Sequence, residues 1–478
     1  VVPNPVSGLL TAIGVLLSRL GLISEARARR TAELAWPRIV TGLARMSKSA
    51  ADVAMVGIAL GPAAIAGVGF AGPFWGIAFS IGGGFAAGTI ALVSQRFGAE
   101  AYDRLGQAIR SSVALVAIIT VPFSLLFWLF PIELVSVLTD DATVIAYGAD
   151  YLRILALGVP FASLNLIGSR ALIGADDAWT PMVLRSSGAV ANIALNAVFI
   201  FGLGFGVVGA AWGTVLSNIL VTAAFIIGLG RGHLPGIGDF PITISPFGRY
   251  VDRNEFRDLV EIGLPVIGRN SIWTVAQFPA LAFVGLFGPT VVASYIIARR
   301  IWGLMNTPGW GFGLAASSLV GQELGQDDED AAESYGHEIV RFSTATYIVA
   351  AIPAVLFAER IVGLFVGSAD DPAIPVAVTL VYVAAIAIIP QGVSAAVAGA
   401  LDATGDTRWP FYSRVLGMFG FSIPLIYLGA TTSLGLLGIY LSFLAETLVP
   451  AAINYYRFTT GKWKAISRSY RPEQASAD

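Results

Sequence analysis

The sequence predicts an all-α integral membrane protein with twelve transmembrane helices in two parallel six-helix repeats. Three observations lead there. The 478 residues are 56% hydrophobic and 13% charged, with a mean hydropathy of +0.75, about half the charge of a soluble globular chain. The apolar runs reach the ~20 residues that a spanning helix needs and far exceed the ~10-residue alternating strands of a membrane barrel. Finally, the two halves of the chain repeat one another. This composition excludes an ordinary soluble enzyme and a disordered chain. A net charge of −2 gives no reason to expect nucleic acid, and the absence of Cys removes disulfides and thiol chemistry. The only histidines, His233 and His337, fall in polar stretches read as loops, so no clustered His/Cys metal site is expected.

Residues 1–33 read as an N-terminal arm. Val6 to Ile23 is apolar but interrupted by Arg19 and followed by Glu25 to Arg30, which suits an interfacial amphipathic helix better than a thirteenth span or a signal peptide. Helices 1 to 6 follow at 34–58, 64–92, 106–130, 143–173, 178–201 and 207–229, filling a first lobe at 34–230. In helix 1, Pro37 marks either a bend or the helix start. In helix 2, Gly82 to Gly84 and Gly88 read as a close-packing face. Residues 231–255, with Pro235, Pro241 and Pro246, form a linker. Helices 7 to 12 at 256–286, 290–320, 337–357, 374–401, 409–429 and 435–456 fill a second lobe at 256–457, and 458–478 is a tail. Several segments exceed 25 residues, so tilt is expected. The acidic run Glu323 to Asp330 reads as a solvated loop.

About fifteen Lys and Arg, from Arg19 in the arm to Arg471 in the tail, fall on one set of segments, and Arg360 stands alone on the other. The positive-inside rule then puts both termini in the cytoplasm.

The repeat is explicit. At a shift of 227, Gly61–Gly98 meets Gly288–Gly325 with 13 identities in 38 positions, among them Trp75/Trp302 and Gln95/Gln322. At a shift of 229, Asp177, Pro181, Arg185 and Gly188 meet Asp406, Pro410, Arg414 and Gly417. Six helices per repeat makes the halves parallel, an arrangement typical of secondary transporters.

Scaffold should repeat; a unique site need not. Asp52 in helix 1 has Ala280 as its repeat mate, Asn192 and Asn196 in helix 5 have Phe421 and Leu425, and Thr214 in helix 6 has Phe443. The four-residue spacing puts both Asn on one face. One carboxylate, two amides and a hydroxyl could hold a proton or Na⁺. Taken singly, each has a plainer reading. Asp52 can pair with Lys48, four residues earlier, beside Arg45; the Asn pair can be interhelical glue; and Thr214 can bond its own helix. Because Arg185 and Arg414 repeat, they read as scaffold at the cytoplasmic end, whereas Arg269 and Arg300 are candidates for lining a watery cavity.

These residues resemble those of the multidrug and toxic compound extrusion (MATE) transporters. The resemblance runs from Leu34 to about Arg457 and rests on Asp52 to Gly57, Ala91 to Gln95 with Gly98, the turn Gly174–Asp177 before Pro181, Phe201 through Ala211, Val320 to Gly325, and Gly399 to Asp406. It implies a two-lobe, V-shaped antiporter in the plasma membrane that exports amphipathic, often cationic, organic compounds in exchange for H⁺ or Na⁺. It also implies a cation site at Asp52, Asn192, Asn196 and Thr214, with Lys48 and Arg45 as modulators. Many members carry Asp where Asn196 stands. Another branch uses acids in helices 7 and 10, and here Gln391 occupies the helix 10 place. No cofactor, no metal beyond Na⁺ at Asp52, no nucleic acid and a monomer are expected. A lipid-linked oligosaccharide flippase of the same fold is the rival, with Lys48, Arg269 and Arg300 meeting a pyrophosphate.

Overall fold

The computed structural model describes residues 4–363 and 373–470. The arm's first three residues and Arg471 of the tail lie outside them. In chain order the helices are α1 (Pro5–Arg19), α2 (Glu25–Leu60), α3 (Pro62–Gly98), α4 (Tyr102–Leu129), α5 (Pro131–Ser136), α6 (Ala142–Ala156), α7 (Val159–Gly174), α8 (Trp179–Ala197) and α9 (Gly206–Arg231). A π-turn at Val198–Gly202 follows α8. The hairpin β1 (His233–Leu234) and β2 (Gly238–Asp239) comes next. Then come α10 (Arg253–Gly285), α11 (Pro289–Met305), α12 (Thr307–Gly325), α13 (Glu329–Leu356), α14 (Ala358–Gly363), α15 (Ala373–Thr404), α16 (Arg408–Val415), α17 (Ile423–Thr431), α18 (Leu437–Thr459) and α19 (Lys462–Arg468). A second π-turn, Leu416–Ser422, joins α16 to α17.

Each of the twelve apolar segments falls on a helix or a broken helix. Segment four is α6 and α7, bent by 49°, and segment eight breaks at Asn306 between α11 and α12. Among the described residues, eight helices, or nine with the bent pair, are long and apolar enough to cross a membrane. The α2, α10 and α11–α12 segments fall short of that mark. In α2 the polar load is visible as Arg45, Lys48 and Asp52 within eight residues.

The backbone repeats as the sequence does. Left-handed conformations recur in mated positions: Gly61 and Gly288, Glu100 and Asp327, Asp176 and Gly405, Gly206 and Gly435, Gly232 and Gly461. Turns that follow equivalent helices thus adopt the same rare geometry in both halves, three of them without glycine at the strained position, at Glu100, Asp176 and Asp327.

The chain packs as two units, one of Val40–Ile267 and one of Val1–Ile39 with Gly268–Asp478. The divisions fall inside α2 and α10 rather than in the 231–255 linker. Glycine makes this possible. In the Val40–Ile267 unit, a Cβ on Gly84 would lie 2.7 Å from the Gly263 carbonyl, so the start of α10 lies flush on α3. In the other unit, a Cβ on Gly311 would lie 2.5 Å from the Ala35 carbonyl, so the start of α2 lies flush on α12. Gly84 and Gly311 are repeat mates, as are Gly263 and Ala35. Gly82 and Gly88 likewise face Ser163 and Leu259 too closely for a side chain, which fits the close-packing reading. The cores are separate: Val56, Ala71, Phe127, Leu152 and Ala210 centre one, and Ala280, Tyr347, Leu380, Ile388 and Ile426 the other.

α1 has 15 residues, about 22 Å at 1.5 Å per residue and short of a ~30 Å hydrocarbon core. Leu10, Ile13 and Leu17 are buried while Leu9, Leu16 and Leu20 are exposed, and Gly14 sits against Phe342 and Ala28.

Three local expectations are corrected. His337 lies on α13, not in a loop, stacked edge-on to Tyr455 and Phe458. The acidic run is not simply solvated: Glu323 faces Arg30 at 3.8 Å and Glu329 pairs with Arg468 at 2.8 Å. Pro37 does not start its helix, since α2 begins at Glu25 and runs through it. It lies two residues before α2 passes from one packing unit to the other.

Candidate functional site

In the Val40–Ile267 unit, α2, α8 and α9 bring together the four candidate residues. Asn192 and Asn196 are fully buried, and Asp52 and Thr214 are nearly so. Asn196 Nδ2 donates to Asp52 Oδ1 at 2.7 Å and, more weakly, to Asn192 Oδ1 at 3.4 Å. Asn192 Nδ2 donates to Thr214 Oγ1 at 3.0 Å. Lys48 Nζ stands 2.8 Å from Asp52 Oδ2 and 3.5 Å from Thr214 Oγ1. Asn196 Oδ1 is buried with no hydrogen-bond partner. The α-helical i,i+4 spacing aligns Lys48 with Asp52 and Asn192 with Asn196. At Gly213 the absence of a side chain lets α9 approach Asn196.

Lys48, Asp52 and Thr214 line a cavity of about 640 Å³, with Asn192 and Asn196 held against them from behind its wall. Trp75, Phe79 and Val53 supply apolar wall, and Arg45 and Arg185 join Lys48 on it. The Arg45 guanidinium lies over the Phe79 ring, 5.6 Å from its centre. Behind Thr214 a polar chain continues: Asn218 Nδ2 donates to the Thr214 carbonyl at 2.8 Å, Asn165 Nδ2 to Asn218 Oδ1 at 3.0 Å, and Thr222 Oγ1 to Asn165 Oδ1 at 2.8 Å. Asn165 and Asn218 escaped the sequence reading, although both are amides in apolar helices, the signal that singled out Asn192.

Arg185 is also a correction. Its repetition as Arg414 suggested scaffold, yet its side chain lines the cavity. A repeated residue can serve different ends when its neighbours differ between repeats.

Outside this cavity the remaining candidates disperse. Arg269 grips Asp402 with both terminal nitrogens, at 3.0 and 2.7 Å, so it is an ion-pair partner rather than a free cation lining water. Arg300 is exposed on α11 and Gln391 is buried on α15. The sequence reading also passed over a buried acid, Glu446 on α18. Arg299 clasps it at 2.6 and 2.7 Å, donates to the Tyr295 hydroxyl at 2.9 Å, and lies 4.3 Å from the centre of the Phe443 ring. Phe443 is the mate of Thr214, so an aromatic ring and an ion pair stand where the other repeat has its cavity.

The two amides, the hydroxyl and the carboxylate form one hydrogen-bonded polar cluster among apolar helices. Among the described residues no group of three or more His, Cys, Asp or Glu could hold a metal ion. A Gly213→Ala substitution tests the close approach. Its methyl would collide with Asn196 Oδ1 and turn that amide away from Asp52, so any activity that depends on this cluster should fall sharply. Gly230→Ala, on the same helix with open space around it, should leave that activity unchanged. Equal activity in the two variants would contradict this.

Comparison with known proteins gives concordant results. The MatE family model matches residues 37–198 and 265–428, one stretch in each half. A probable multidrug resistance protein, YoeA of Bacillus subtilis, is 24% identical over 424 residues, covering 86% of this chain and 89% of its own. A probable multidrug resistance protein NorM of Bradyrhizobium diazoefficiens is 26% identical over 450 residues, covering 90% and 92%. An outward-facing multidrug resistance MATE family transporter of the MOP superfamily superposes with a TM-score of 0.83 at 20% identity, over 92% of this chain and 96% of that one.

Proposed function

Because the chain belongs to the MatE family and is therefore a multi-pass membrane transporter rather than an enzyme, we propose that it exports amphipathic organic compounds by secondary active transport coupled to a proton at Asp52. The observation that carries this reading is the hydrogen-bonded cluster of Asp52, Asn192, Asn196 and Thr214, of which Asp52 and Thr214 line the cavity.

A proton suits this site better than Na⁺. Sodium needs several oxygen ligands. Here Asp52 Oδ2 already faces an ammonium, Asp52 Oδ1 accepts from an amide, and Thr214 Oγ1 accepts from another. A proton needs only one carboxylate oxygen, and its arrival releases Lys48. The excess of Lys and Arg on the segments that include both termini supports a cytoplasmic location for each. Pro37, which lacks an N–H to donate within α2, is the natural place for that helix to flex as the site loads. The flippase reading is less favoured, because Asp402 holds Arg269 and neither Arg269 nor Arg300 lines the cavity beside Lys48.

The test is efflux of a fluorescent dye from proteoliposomes under an imposed H⁺ or Na⁺ gradient. Wild type should respond to the H⁺ gradient, and Asp52→Asn should fall to the level of protein-free vesicles. A wild type that responds to neither gradient, or an Asp52→Asn variant that still responds, would refute the assignment.

A further inference from the structure

We propose that the cavity of the Val40–Ile267 unit binds an organic anion, its acid group held by Arg45, Lys48 and Arg185 and its apolar body laid against Trp75 and Phe79. This rests on the reading of that cavity as the transport site, and it replaces the cationic cargo expected from the family resemblance.

Charge is the starting point. The lining carries three cations, Arg45, Lys48 and Arg185, and one carboxylate, Asp52. That carboxylate is engaged on one oxygen by Lys48 and on the other by Asn196. An incoming cation would have to displace an ammonium at 2.8 Å while facing two guanidinium groups. An incoming anion meets three cations against the single carboxylate of Asp52, which Lys48 already offsets.

Arg185 sharpens the case. Four other arginines in buried surroundings find carboxylates: Arg96 meets Glu255 at 2.9 Å, Arg269 meets Asp402 at 2.7 Å, Arg299 meets Glu446 at 2.6 Å, and Arg457 meets Asp406 at 2.6 Å. Arg185 meets none among the described residues, and its Nη1 is buried without any hydrogen-bond partner. Arg170, behind it, also has a buried Nη1 with no partner, and both Arg170 and Arg45 act on Arg185 as like charges. Unmatched cations in a membrane-embedded site are costly and mark function. A carboxylate, sulfonate or phosphate would relieve the repulsion and accept the forked donors of arginine.

The other repeat shows the same framework already holding an acid. Arg414 is the mate of Arg185, and Ser217, which lines the cavity, has Glu446 as its mate. Arg414 Nη1 reaches the Glu446 carbonyl at 3.4 Å, and the Glu446 carboxylate acts on Arg414 as an opposite charge. Where Glu446 supplies a built-in carboxylate in one repeat, Ser217 leaves room in the other. That room, about 640 Å³, lies in the range of drug-sized ligand sites, roughly 300–1,000 Å³.

A matched pair of dyes tests this. Fluorescein and rhodamine 6G share a xanthene core and carry opposite charge. Binding is read by fluorescence anisotropy with the full chain in phosphatidylcholine nanodiscs, against empty discs. Fluorescein should bind the tighter by on the order of tenfold or more, since charge-assisted bonds contribute ~1.5–3 kcal/mol each. Arg185→Gln and Arg45→Gln should each weaken it by a similar factor, and Arg185→Lys should retain most of it, which guards against misfolding as the cause. Tighter rhodamine binding, no binding of either dye, or fluorescein binding indifferent to Arg185→Gln would overturn the proposal. Doping the discs with phosphatidylglycerol identifies the source of the anion. Competition with fluorescein supports an anionic lipid headgroup, and an unchanged affinity supports a soluble anion. Gradient-driven export of rhodamine without fluorescein binding would sink the anion site and leave the exporter standing. Fluorescein binding with no gradient-driven transport would do the reverse.

Discussion

Replacing Glu446 with Ala should lower stability by about 3–5 kcal/mol, the usual cost of leaving a buried charge without its partner. The Glu446 side chain is 1% exposed and that of Arg299 is 17% exposed. Two short bonds join them, and Arg299 is further enclosed by Tyr295, Trp302 and Phe443. Without Glu446 the guanidinium keeps no carboxylate and little water. The double variant Arg299→Leu with Glu446→Ala should recover most of the loss, because replacing a whole buried pair by apolar groups is often neutral. Melting followed by tryptophan fluorescence in detergent would report both. An unshifted midpoint in Glu446→Ala would show that the pair contributes nothing to holding α11 against α18.

The second large effect is at Lys48 and Asp52. Asp52→Asn leaves Lys48 without its charge partner, and Lys48→Met leaves Asp52 without its own. Each single change should cost stability, though less than the about 3–5 kcal/mol of a fully buried pair, because both side chains line a cavity. The double variant should cost far less than the sum, a coupling that a double-mutant cycle measures directly. Transport separates this structural role from coupling. In Lys48→Met the ammonium is gone from Asp52 Oδ2, and the partnerless Asn196 Oδ1 can turn toward the vacated space. Four oxygens, from Asp52, Asn192, Asn196 and Thr214, then face one another, and dye efflux should begin to respond to a Na⁺ gradient. If Lys48→Met remains blind to Na⁺, the ammonium is not what excludes that ion.

Much of this was legible in the residues because two signals were redundant. Apolar run length placed all twelve helical segments, and the tandem repeat turned unmatched polar residues into candidates. Asp52, Asn192, Asn196 and Thr214 stood out because their mates are apolar, and they do converge. The same logic hid Arg185, whose mate is also arginine, since a sequence repeat cannot show that Arg414 lies near Glu446 while Arg185 meets no carboxylate among the described residues. Asp402 and Glu446 were passed over because attention went to the repeat without them. The partners of Arg269 and Arg299 lie more than 130 residues away along the chain, and no local pattern announces such pairs. The packing boundary inside α2 was equally invisible, because Gly311 and Ala35 become neighbours only in three dimensions.

That boundary has a consequence for how the protein is made. Residues up to Ile39 leave the ribosome before Val40–Ile267, yet their packing partners come after that unit: Arg27 bonds Glu338, 311 positions downstream. The first half of α2 must therefore wait, unpaired, while the Val40–Ile267 unit is translated and inserted. Conversely, Arg253 to Ile267 complete that earlier unit, with Glu255 closing on Arg96, although they begin the second repeat. Biogenesis cannot proceed one repeat at a time. A gene split in the 231–255 linker would give two polypeptides that each lack a segment of their own unit, and each would depend on its sibling during synthesis.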